Sequence, residues 1–143
     1  MRRASLAIAV LLLSCAASPA NAASATSPKI VVNPGVPGKS IKKQVLGQIF
    51  LRAVVKWGDG TPIRPVDRSL TSPLRIEFSR AFLGFTALEV QHHWRREISR
   101  GNIPPPVKDS DEDVIAFVAA SPGAIGYVSE ATPTPETIRV LEI

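Results

Sequence analysis

The chain has 143 residues, 45% hydrophobic, 20% charged and 6% aromatic, with a formal net charge of +5. That is globular composition with room for one modest domain, and it excludes a larger multidomain architecture. Arg2 and Arg3, the apolar run from Ala4 to Leu13 and the small-residue stretch Pro19-Ala20-Asn21-Ala22 read as a secretory signal over residues 1–22, cleaved after Ala22 and too short to span a membrane. Cleavage leaves 121 residues, and no second apolar run of spanning length follows.

Cys15 is the only cysteine and lies in the leader, so one chain cannot build a disulfide framework. The expected location is the periplasm or the exterior. Leu12-Leu13-Ser14-Cys15 also resembles a loose lipobox, so a lipoprotein anchored through Cys15 is the alternative. Without Arg2 and Arg3 the net charge is +3, too small to name a partner. Its distribution is uneven: residues 39–100 hold 12 Lys/Arg and 5 Asp/Glu, whereas residues 101–143 hold 2 and 7. A basic surface attracts phosphate, acidic sugars or anionic lipid, but it is more often the solvated face of helices.

Residues 23–29 are small and polar, a flexible lead-in. Ile30-Val31-Val32 predicts a buried strand ended by Asn33-Pro34-Gly35. Ser40 is placed to cap a helix with apolar positions Ile41, Val45 and Ile49, ending near Leu51. Trp57-Gly58-Asp59-Gly60 implies a tight loop, and Ile63-Arg64-Pro65-Val66 a short strand that Pro65 confines to an edge. Ser72-Pro73 starts a helix with Leu74, Phe78, Ala81 and Phe82 as its buried stripe and Gly84 as its stop.

Thr86 to Glu89 forms a capping box for the next helix, with a seam of Ala87, Val90, Trp94 and Ile98 and a stop at Gly101. Pro104-Pro105-Pro106 makes a stiff extended connection. Ser110-Asp111-Glu112-Asp113 opens a last helix with Val114, Ile115, Phe117 and Val118 facing inward. Strands follow at Ala124-Ile125-Gly126-Tyr127-Val128 and, by alternation, from Thr137 to Ile143. The fold class is α/β: helices around a small sheet.

The richest chemistry lies in Asp67-Arg68-Ser69-Leu70-Thr71-Ser72-Pro73, a strand end running through hydroxyl residues into a helix start. Helix starts carry unpaired N–H groups and a positive dipole end; Arg68 can add a bidentate clamp, and Ser69, Thr71 and Ser72 can donate O–H. Together they suit a tetrahedral oxyanion. The bland alternative is that Ser72 only caps the helix and Arg68 pairs with Asp67 or another surface acid. His92 and His93 are adjacent, hence about 100° apart on a helix, and cannot chelate one ion together. Glu89 and Glu97 lie four residues either side of His93, so surface pairing is the expectation and no metal or cofactor is assigned. No G-x-S-x-G elbow, Walker loop or H-E-x-x-H is present, so an enzyme has no support. Clustered cations interleaved with aromatics are missing too, which excludes nucleic acid as a partner. Trp57 and Tyr127 either pack or act as platforms.

In chain order, Val31-Val32-Asn33-Pro34-Gly35, Gln48-Ile49-Phe50-Leu51, Trp57-Gly58-Asp59-Gly60, Pro65-Val66-Asp67-Arg68, the Ser72-led helix with Phe78 and Phe82-Leu83-Gly84, and Pro122-Gly123-Ala124-Ile125-Gly126-Tyr127-Val128 resemble the phosphate-binding protein family of ABC transporters over roughly residues 30 to 128. The resemblance implies a type 2 periplasmic binding-protein fold over residues 30–143, here a single three-layer-like lobe: a small mixed sheet flanked by about four helices. It also implies non-covalent binding of phosphate or a similar oxyanion, with an ABC transporter permease as a possible partner. In that family an arginine, three further residues and Ser-Gly-Thr at a helix start form half of the site. Arg68 and Ser72 match, whereas Pro73 and Leu74 remove an N–H and a hydroxyl. Each missing charge-assisted hydrogen bond is worth about 1.5 to 3 kcal/mol, so the implied site is weak. The alternative function is an envelope protein-interaction module whose lobe face binds another protein or a second copy, anchored by Trp57 or Tyr127.

Overall fold

The computed structural model describes residues 27–143; the expected leader, its cleavage site and Cys15 lie outside the described residues. The main sheet has four strands: β1 (Pro28–Val32), β2 (Arg64–Pro65), β5 (Ala124–Ser129) and β6 (Arg139–Leu141), in the order β2-β5-β1-β6. β1 runs antiparallel to both neighbours, with Ile30 opposite Tyr127 on β5 and Leu141 on β6, while β2 joins β5 in parallel. β1 begins at Pro28, inside the expected lead-in, because Pro28 and Lys29 continue the register opposite Ser129 and Val128. Pro65 sits on an edge strand, where a missing N–H is tolerated.

Alternation along β1 and β5 divides the core into two layers. Ile30, Val32, Ile125 and Tyr127 face helices α1 (Lys43–Phe50) and α2 (Pro73–Phe78) through Leu46, Ile49, Phe50, Leu74 and Phe78. Val31, Ala124 and Val128 face α4 (Asp111–Ala120) through Val114 and Val118. The sheet is thus sandwiched between helices, the three-layer α/β arrangement expected of such a lobe. Gly126 lies under α4, where an added Cβ would stand 2.7 Å from Val66 Cγ1 and 2.9 Å from Val114 Cγ1. That close approach explains a glycine inside a buried strand.

Several local expectations change. Ser40 does not cap α1: it bridges to Glu142, and the helix starts after Lys42 without a side-chain cap. α2 does not run as one α-helix to Gly84 but widens into a π turn at Ser79–Leu83. α3 (Ala87–Ser99) has the expected capping box, with the Glu89 N–H on Thr86 Oγ1 at 3.2 Å and the Thr86 N–H on Glu89 Oε2 at 2.7 Å. Its seam buries Val90 and Trp94, while Ile98 is exposed. Two short strands, β3 (Asp67–Arg68) and β4 (Val107–Lys108), pair in parallel beside the main sheet. Among the described residues no helix is long and apolar enough to cross a membrane.

Candidate functional site

β3 delivers Asp67 and Arg68 to the top of α2, and residues 69–72 make the turn between them. The Ser72 N–H closes this turn on Ser69 O at 2.9 Å, and the Ser69 and Thr71 hydroxyls lie 3.1 Å apart. Ser72 occupies the N-cap with Pro73 at the first helical position, as the residue pattern predicts, but its side chain makes no cap hydrogen bond. Leu74 turns into the core against Phe78 and leaves the turn altogether. The three hydroxyl residues Ser69, Thr71 and Ser72 are therefore gathered on one turn.

Arg68 has a different setting from either simple expectation. Its Nη1 pairs with Asp111 at the start of α4, and its Nη2 donates to Asp109 O at 3.0 Å. Asp111 also accepts from the Ser129 N–H at 3.0 Å and from the Thr132 hydroxyl, so it ties α4, β5 and the following loop to β3. This pair joins the basic middle of the chain to its acidic C-terminal part. Asp67 does not pair with the Arg68 side chain; it accepts the Arg68 backbone N–H at 2.8 Å, the Tyr127 hydroxyl, and Arg75 Nε at 3.2 Å. Both members of the Asp67–Arg75 pair are buried. Its three donors satisfy a charge that would be costly to bury alone.

Tyr127 packs and bonds at once. Its ring stacks on Phe78 with centroids 3.9 Å apart, and its hydroxyl reaches Asp67. Burial, reinforced by the Asp67 charge, pushes the phenol far above its ordinary range. The side chain is fully buried, and the half-buried Trp57 donates its indole N–H to Gly123 O at 3.0 Å. Tyr127 is therefore not available as an exposed anchor for a partner, which corrects that part of the interaction-module expectation. Glu89 is engaged by its cap, and Glu97 takes Asn102 at 2.6 Å and Arg100 at 2.8 Å, so the expected pairing with His93 persists only as a longer-range attraction to Glu97. Among the described residues no cluster of His, Cys, Asp and Glu could hold a metal ion.

Arg75 and Asp111 are the charged partners in this cluster that the residue pattern alone does not mark as site residues. A signal existed for Arg75: it sits beside Leu74, three residues before Phe78, on the helix face that enters the core. Arg75 and Arg68 also line a cleft of about 180 Å3 between α2, α3 and the segment from Pro104 to Val107.

No family model matches the sequence, and no curated protein matches it. Solved structures do match. One, described as a phosphate ABC transporter substrate-binding protein with bound phosphate from Clostridium perfringens, aligns at TM-score 0.64 and 19% identity over 80% of this chain and 43% of that one. An ABC-type phosphate transport receptor from Vibrio cholerae aligns at 0.62 and 17% over 80% and 44%. PstS from Borrelia burgdorferi aligns at 0.63 and 17% over 80% and 46%. This chain thus spans less than half the length of the proteins it matches, and it has the α/β fold of part of a phosphate-type substrate-binding protein.

Proposed function

We propose that the chain is an exported solute-binding lobe that holds phosphate or a similar oxyanion non-covalently on Arg68, Ser69, Thr71 and Ser72, in the periplasm or anchored at the envelope, with an ABC transporter permease as its partner class. The observation that carries this reading is the clustering of three hydroxyl residues directly after Arg68, on a fold whose Clostridium perfringens neighbour contains bound phosphate. Hydroxyl donors and a guanidinium are the groups that recognise a tetrahedral oxyanion. The reading also sets the strength of binding. Arg68 is already engaged by Asp111, Pro73 offers no N–H and Leu74 faces the core, so an incoming anion must compete for its main cation. Binding is accordingly weak, in the millimolar range typical of a few net hydrogen bonds, about 4 kcal/mol in all. The fold neighbours from Clostridium perfringens and Vibrio cholerae are described as a substrate-binding protein and a transport receptor, which supports binding without covalent chemistry. Calorimetric titration with phosphate should show one saturable event in the wild type, reduced at least about tenfold in Arg68→Ala. Identical heats for both proteins would refute the assignment of Arg68.

A further inference from the structure

The cleft between α2, α3 and the Pro104-to-Val107 segment adjoins the hydroxyl turn, with which it shares Arg68 and Leu70, but Ser69, Thr71 and Ser72 do not line it. At its base is Arg75, whose side chain is only 7% exposed. Arg75 Nε reaches Asp67, but Nη1 is buried and has no hydrogen-bond partner among the described residues. Asp67 accepts the Tyr127 hydroxyl, the Arg68 N–H and Arg75 Nε, but makes no hydrogen bond to Nη1. A buried guanidinium donor left unmatched is costly, which makes it a strong selector for a ligand oxygen. Asp67, Arg68 and Gln91 are the other polar lining groups, the Asp67 charge being offset by the two arginines; the remaining walls are apolar, with Leu70 and Val107 exposed at 38% and 56%.

We propose that this cleft binds a small organic oxyanion, a carboxylate or phosphomonoester, with its oxygen head on Arg75 and its apolar body against Leu70, Trp94 and Val107. Size supports the choice. A dry cavity of about 150 Å3 accepts benzene, so 180 Å3 accommodates one ring or a short branched chain but not a drug-sized molecule. Inorganic phosphate alone would leave the apolar walls uncovered.

The test is a titration of the 15N-labelled chain with benzoate, phenyl phosphate and inorganic phosphate, following the Trp94 indole N–H and the Arg75 Nε–H. Saturable shifts of both signals with benzoate or phenyl phosphate are expected, and whichever binds identifies the head group. Leu70→Asp, a change at an exposed rim position that places a negative charge at the mouth, should weaken that binding at least about tenfold without lowering the melting temperature. Neither signal moving with either organic anion, as for a cleft filled by water alone, would overturn the proposal, as would shifts that Leu70→Asp leaves unchanged. If inorganic phosphate moves amides 68–72 while the organic anions leave Trp94 and Arg75 unmoved, the cleft proposal fails and the phosphate reading stands. The opposite pattern leaves the cleft and removes the phosphate site.

Discussion

At Tyr127 the ring stacks on Phe78 while the hydroxyl, at the far end of the same side chain, donates to Asp67. One residue therefore links the apolar layer to the charged cluster above it. Because its folded-state pKa is raised, the phenol stays neutral in the folded chain at a pH where the unfolded chain ionises, near 10. The stabilisation is fully present below that value and is lost as pH rises beyond it. Tyr127→Phe should cost about 1 to 3 kcal/mol at neutral pH, by leaving Asp67 one donor short, and should flatten the fall in stability above pH ~10. Tyr127 is the only tyrosine, so tyrosinate absorbance reads it directly: no ionisation should occur before unfolding. Asp111 invites a second residue-scale test. Asp111→Asn removes the charge that holds Arg68, so phosphate affinity should rise about tenfold while stability falls by about 1 to 3 kcal/mol, both measurable by calorimetry.

Among the elements, β1, β5, α3 and α4 were legible in the sequence because each carries its own signal: continuous apolar runs, a complete Thr86-to-Glu89 box, and an acidic first turn behind Ser110. β3 and β4 were not, since two-residue strands have no period to read and form only where Asp67 meets Val107 across the chain. The π turn after Phe78 was equally hidden. It brings Phe82 O close to α1, where a Cβ on Gly47 would come within 2.9 Å, and no local pattern encodes that contact. The candidate site was half legible. Hydroxyls and Arg68 could be read from spacing, but the partners that decide their chemistry, Asp111 and Arg75, arrive from α4 and from the core-facing side of α2. Gly126 tests the packing of β5 under α4. Gly126→Ala should lower stability by about 1 to 3 kcal/mol, seen as a lower denaturant midpoint with an unchanged slope, because the new methyl meets Val66 and Val114 in a filled core.

For the whole molecule, the fold sets the scale of the comparison. The described residues form a three-layer unit with a core on either side of its sheet, and the chain covers 43% to 46% of the three phosphate-type structures named above. The basic middle and acidic C-terminal parts meet at Arg68–Asp111, so the uneven charge noted in the sequence is partly spent inside the fold, beside the turn where the anion is proposed to bind. The proposed site is weak because an anion must compete with Asp111 for Arg68 and Pro73 offers no N–H. The central claim is that the turn after Arg68 still holds an oxyanion, and amide chemical-shift mapping during a titration with inorganic phosphate tests it most directly. Saturable shifts at millimolar phosphate, concentrated on the amides between residues 68 and 75, are the predicted result; a spectrum unchanged there at the same concentrations would contradict it.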